Sequence, residues 1–181
     1  MGYNWQFDVL SEYWIVFVQG AVVTAQLTGL AFALALVLGL LLALGRLAES
    51  PLIRAPVAVY VEFFRSTPAL VQLVWIYYAM PILTGIKFNS LVSVGIGLGL
   101  HTAAYYCEVF RAGILAVERG QVDAAKAVGM RRAQLMRRVI LPQAVRQMIP
   151  PFINETASLI KLTTLGSVLA VLYLIFNEGY L

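Results

Sequence analysis

The chain has 181 residues, of which 61% are hydrophobic and only 12% charged, with a mean hydropathy of +0.83. Soluble domains carry about 25% charged residues, so a soluble globular fold is excluded. The apolar runs do not alternate with polar residues, which excludes a membrane barrel and leaves an all-α integral membrane protein. The formal charge of +4 lies beside the apolar runs, where the flanks of membrane spans account for it better than nucleic acid does. One cysteine, Cys107, excludes an internal disulfide and a cysteine-based metal site, and one histidine, His101, excludes a histidine cluster. Asp8 and Glu12 come first at the N-terminus, with no basic region before them, so no cleavable signal peptide is expected.

In chain order, no charge occurs from Tyr13 to Gly45, and Gly29 to Gly45 is wholly apolar. About 20 apolar residues cross a bilayer, which places a first helix at roughly 18–44. A second is expected from Pro56, where proline suits a first turn, to Met80–Pro81. It carries Glu62 and Arg65, three residues apart on one face, and Thr67-Pro68, which marks a kink facing a pathway. A third runs from about Ser90 to Val109 and holds Gly95, Gly97 and Gly99 for close packing in lipid. A fourth runs from about Met148 to Phe176, interrupted by Pro150-Pro151, Glu155 and Lys161. The expectation is a bundle of about four visible transmembrane helices.

The basic residues orient this bundle. None precedes Arg46; Arg46 and Arg54 follow the first span; Lys87 follows the second; and eight of the thirteen lie between Arg111 and Arg146. The N-terminus is therefore expected outside, with the loops at 45–55 and 111–147 in the cytoplasm. Within the longer loop, alanine-rich Val122–Val128 is expected to be helical, started by Gly120, stopped by Gly129 and carrying Asp123 in its first turn. A second helix is expected from Arg131 to Leu141, ending before Pro142. It would set Arg131, Gln134, Arg137 and Arg138 on one face and Ala133, Met136, Val139 and Ile140 on the other, lying at the membrane surface. Such short helices are marginal alone and call for burial against something else. A plain cytoplasmic loop and a lipid-headgroup anchor fit the same composition.

The spacing carries a resemblance. Asp123-Ala124-Ala125, then Gly129, then Ile140-Leu141-Pro142 resembles the EAA loop of ABC-importer permeases, written Glu-Ala-Ala, three residues, Gly, nine residues, Ile-x-Leu-Pro. Ala104-Tyr105, Glu108 to Ile114 and Gly120-Gln121 resemble the polar amino-acid uptake branch of that family. So do Val61 to Pro68, Val71-Gln72-Leu73, Asn154-Glu155, Ser158 to Lys161 and Thr163-Thr164-Leu165. The resemblance spans about 13–170 in one unbroken order, and 13–181 is taken as a single transmembrane domain. It departs from the pattern at Asp123 for Glu, at Ser66 for Gly, at Leu162 for Asp, and in the missing residue between Ile140 and Leu141. The family has a fifth span where this chain ends at Leu181, so a truncated or divergent form is expected.

The resemblance implies an ATP-driven importer subunit in a bacterial plasma membrane, paired with a second permease subunit. A separate ATPase, carrying ATP and Mg, would receive the loop helix, and an extracytoplasmic binding protein would deliver a polar amino acid. Gly120, Gln121, Asp123, Ala124, Ala125 and Gly129 become the coupling residues. The chain has no G-x-x-x-x-G-K-[ST] sequence to cradle ATP phosphates, so no cofactor is expected on it. Intramembrane polar groups are costly and mark pathways or structural pairs. Thr67, His101, Asn154, Glu155, Ser158 and Lys161 are the pathway candidates, with a packed role open for each. His101 stands where the branch more often has a small or amide residue; a substrate-facing donor, a pH-sensitive group and a packed histidine all fit it. Glu62 with Arg65 and Glu108 with Arg111 are read as structural ion pairs. A passive channel-like protein with a lipid-anchoring loop is the alternative function. An integral membrane enzyme has little support, because no metal-ligand spacing or nucleophile–base arrangement is present.

Overall fold

The computed structural model describes residues 14–86 and 89–166. The described residues are helical, with no strand among them. Helix α1 is Trp14–Arg46, about 50 Å long at 1.5 Å per residue. It starts before and ends after the expected span. Its buried residues are Leu27, Ala31, Ala35, Gly39 and Ala43: one position in every four, nearly all small, forming a single seam. The rest of its surface is apolar and exposed, as at Val37, Leu41 and Leu44, which suits lipid contact.

That seam lies along α5, Ser90–Leu115, the central helix. The two approach closely because glycines alternate sides. Leu30 and Leu34 of α1 sit over Gly95 and Gly99 of α5, while Gly39 of α1 sits against Ala103 and Tyr106 of α5. The expected close helix packing of the glycine-rich stretch is observed.

The expected second helix is two pieces. Helix α2, Pro51–Ser66, starts one turn earlier than expected, because Pro51 and not Pro56 takes the first-turn position; Pro56 lies inside the helix. After Thr67-Pro68 the chain turns through 108° into a second rod, made of α3 (Ala69–Val74), a π-helical turn (Trp75–Ala79) and α4 (Met80–Thr84). The break replaces the expected kink. Thr67 is extended at φ −103°, ψ 140°, the region into which a following proline forces its neighbour.

The loop helix α6, Arg119–Ala127, is followed by α7 (Arg132–Leu135), a π-helical turn (Met136–Ile140) and α8 (Leu141–Leu162). The expected stop before Pro142 does not occur. The chain runs helically from Arg132 to Leu162, with Pro142 in the first turn of α8 and Pro150-Pro151 inside it. Both π-helical turns end two residues before a proline, Pro81 and Pro142. A proline ring clashes with the carbonyl four residues back, here Tyr77 and Arg138. Each of these lies within a π-helical turn, whose wider winding makes room for the ring.

Among the described residues only α1 is by itself long and apolar enough to cross a membrane, and the bent pair of α2 with α3–α4 qualifies if taken as one crossing. Helices α5 and α8, of 26 and 22 residues, occupy the third and fourth expected positions but carry more polar groups. Lys87, the outer end of the expected fourth span and the C-terminal region lie outside the described residues. An aromatic cluster of Phe32, Tyr106, Phe110 and Phe152 joins α1, α5 and α8. It is locked by a 2.8 Å hydrogen bond between the Tyr106 and Thr156 hydroxyls.

Candidate functional sites: a loop helix and a polar cavity

Helix α6 begins at Arg119, three residues before the expected start, so Gly120 lies inside it and Asp123 falls beyond the first turn. The expected dipole role of Asp123 is therefore not seen. Its carboxylate lies 3.7 Å from the Lys126 ammonium, both well exposed. Gly129 does stop the helix. It stands at φ +79°, and its N–H donates to the Lys126 carbonyl at 2.9 Å while that of Met130 donates to the Ala125 carbonyl at 3.1 Å. These two bonds are a Schellman motif, which needs a left-handed residue at that point.

Ala125 is buried, as are Val117 before the helix and Leu135 after it. Gly120, Gln121, Asp123, Ala124 and Gly129 are exposed, and nothing lies within 4 Å of where a Cβ would stand on Gly120 or Gly129. Arg131, Arg132, Arg137 and Arg138 are exposed. The expected apolar face is only partly realised. Val139 and Ile140 are half-buried, Ala133 and Met136 are exposed, and Leu135 is the residue that is buried. The π-helical turn accounts for this, since it breaks the 100° register on which the face was drawn.

At the root of this segment the Glu108 carboxylate accepts from Arg111 Nη2 at 2.8 Å and Nε at 3.0 Å on one oxygen, and from Arg46 Nη2 at 3.3 Å on the other. The expected Glu108–Arg111 pair is thus present, with a third member from α1. Glu62 and Arg65 form no ion pair. Glu62 is exposed, and the Arg65 guanidinium lies 5.5 Å from the centre of the Tyr105 ring.

A cavity of about 590 Å³ opens between α5 and α8, lined by His101, Thr102, Tyr105, Glu155, Ser158 and Lys161 among others. That volume is in the range of small-molecule sites. Four of the six pathway candidates meet here: His101, Glu155, Ser158 and Lys161. Asn154 is not among the lining residues; it is exposed, and its carbonyl accepts from the Ser158 hydroxyl at 3.0 Å. Thr67 sits at the break after α2 and is joined to the cavity through Gln72.

Gln72, in the sequence only part of a resembling stretch, was not among the candidate site residues. It is 5% exposed. Its Nε2 donates to the carbonyls of Phe64 at 2.9 Å and Thr67 at 3.0 Å, and also contacts the Thr67 hydroxyl. Its Oε1 lies 3.0 Å from His101 Nδ1. One amide therefore staples the broken helix and holds the cavity histidine. The available signal was a lone amide in the apolar run that follows Thr67-Pro68.

Comparison with known proteins gives a consistent picture. The family described as "Binding-protein-dependent transport system inner membrane component" matches residues 35–179. A putative glutamine transport system permease protein, GlnP, of Rickettsia felis is 36% identical over 166 residues, covering 90% of this chain and 76% of that protein. The octopine transport system permease protein OccM of Rhizobium meliloti is 37% identical over 172 residues, covering 90% and 70%. Among solved structures, one described as an amino acid ABC transporter with histidines aligns at a TM-score of 0.86 and 33% identity, covering 93% of this chain and 78% of that one. The MetNI methionine ABC transporter in an inward-facing conformation aligns at 0.69 and 21% identity, a likeness of fold.

Proposed function

Because the chain belongs to the family of binding-protein-dependent transport system inner membrane components, we propose that it is the membrane subunit of an ATP-driven ABC importer for polar amino acids. It pairs with a second permease subunit, receives its substrate from an extracytoplasmic binding protein and couples through α6 to a separate ATPase, which carries ATP and Mg. The N-terminus lies outside, and the segments 45–55 and 111–147 lie in the cytoplasm. The names of the relatives support the substrate class, two of them being glutamine and octopine permeases.

The observation that carries the coupling role is the state of α6. Nine residues of helix are too few to be stable alone. Here they carry one buried residue, Ala125, are stopped by Gly129, and are left with an open surface of small residues. A capped helix with room for close approach is what a partner groove requires. The cavity between α5 and α8 supplies the other half. Glu155 and Lys161 offer one charge of each sign to the ammonium and carboxylate of an amino acid, and Ser158 adds a hydroxyl.

The test is uptake into vesicles holding the complete complex, with ATP on the side of the loop. Gly129→Asp places a charge and a side chain in the open space at the helix stop. Membrane insertion should be unchanged while ATP-driven uptake is lost. Uptake at the unmodified rate would remove α6 from the coupling role.

A further inference from the structure

The contacts of His101 determine which of its ring nitrogens faces the cavity. The Gln72 amide can be oriented only one way. Its Nε2 end meets two carbonyl oxygens, those of Phe64 and Thr67, which accept and never donate. The end facing His101 is therefore the carbonyl oxygen, and Nδ1 must be the donor in the 3.0 Å bond. In a neutral imidazole the other nitrogen is then an acceptor. Nε2 has no partner among the described residues, and it is absent from the buried side-chain atoms that lack one. His101 is only 7% exposed and lines the cavity, so the remaining access to Nε2 is from the cavity.

We propose that Gln72 is a positioning residue holding His101 as the Nδ1–H tautomer, so that Nε2 presents a fixed lone pair to a ligand side chain bearing an N–H donor: an amide, guanidinium or ammonium group. A carboxylate side chain would set lone pair against lone pair there. The inference rests on the cavity being the transport pathway. The other groups around the ring are consistent with it. Tyr105, on the same helix, lies with its ring centre 5.0 Å from that of His101, and the Arg65 guanidinium of α2 lies over the far ring of that pair. Glu155 and Lys161 come from α8. Among the neutral lining groups the hydroxyls of Thr102, Tyr105, Ser158 and Thr164 can donate as well as accept, so His101 Nε2 is the one that only accepts, with Glu155 and Lys161 meeting the two charges common to every amino acid.

The chain has a single histidine, which makes the tautomer directly observable. The complete complex, purified through a histidine-free tag, is labelled with ¹⁵N-histidine, and the His101 signals are assigned by their disappearance in His101→Phe. The expected spectrum has a protonated Nδ1 and an unprotonated Nε2. Adding L-glutamine or L-arginine should move the Nε2 resonance, and L-glutamate should not. Gln72→Leu should return the ring to the Nε2–H form usual in free histidine and abolish the response. His101→Phe should weaken glutamine relative to alanine about tenfold, the size of one lost hydrogen bond at a buried site. A wild-type ring protonated on Nε2, or an Nε2 signal that ignores glutamine and arginine or answers glutamate equally, would overturn the inference. ATP-driven uptake by the same preparation keeps the two readings apart. No uptake of any amino acid counts against the transport function, while uptake with the wrong tautomer counts against this inference alone.

Discussion

Gly39 and Gly29 lie on one apolar helix, yet the structure gives them opposite demands. A Cβ on Gly39 would stand 2.7 Å from the Cβ of Tyr106 and 3.1 Å from the carbonyl of Ala103, whereas one on Gly29 would meet nothing within 4 Å. The atoms crowding Gly39 are close to backbone and cannot swing away. Gly39→Ala is therefore expected to destabilise the fold by about 1–3 kcal/mol, the range for overpacking. Gly29→Ala should be neutral or slightly stabilising, since alanine is the better helix former. Thermal unfolding in detergent distinguishes them, and equal midpoints would contradict the α1–α5 seam. Charge gives a second residue-scale case. Glu108 holds Arg46 and Arg111 with its side chain only 17% exposed. Glu108→Gln keeps the shape and loses the charge, and is expected to cost about 1.5–3 kcal/mol, as for hydrogen bonds to charged groups. No change in unfolding midpoint would make the triad incidental. Only part of this was legible in the chain. Glu108–Arg111 and Glu62–Arg65 share one spacing, and spacing reports a common face, not a meeting. The first pair closes, and Arg46 joins it from 62 residues earlier in the chain; in the second, Arg65 lies over Tyr105 instead.

At the scale of elements, the limits of reading are set by proline and by tertiary contacts. The chain shows where Pro68, Pro81 and Pro142 lie, but not whether the helix breaks or widens to pass them. It breaks at Thr67-Pro68, where Gln72 caps the freed carbonyls of Phe64 and Thr67. It widens ahead of Pro81 and Pro142, where the helix continues through a π-helical turn. The α6 unit was closer to legible: its glycine stop was read correctly, its start was placed three residues late, and Ala125, counted with the partner-facing residues, is buried. Gly129 stands at φ +79°, which β-branched residues resist strongly and asparagine tolerates. Gly129→Val should lower co-purification of the ATPase subunit, and Gly129→Asn should retain most of it. Equal loss in both would move the cause from the backbone to the missing space at the glycine.

For the whole molecule, α5 is the axis, with α1, α2, α3 and α8 packed around it. Composition pointed to a membrane protein, and the unbroken, non-alternating apolar runs made it helical. The site was half legible. Four of the six pathway candidates share one cavity, since α5 and α8 face each other there, but no local signal tied Thr67 to it through Gln72 or set Asn154 aside. As proposed above, this chain passes amino acids and relays their presence to an ATPase. The most direct measurement is ATP hydrolysis by the purified complex with its binding protein, taken across the amino acids one at a time. Stimulation by at least one polar amino acid, lost in Gly129→Asp, is the predicted result. Hydrolysis that no amino acid raises, in a complex that is intact, would rule out amino-acid import by this chain.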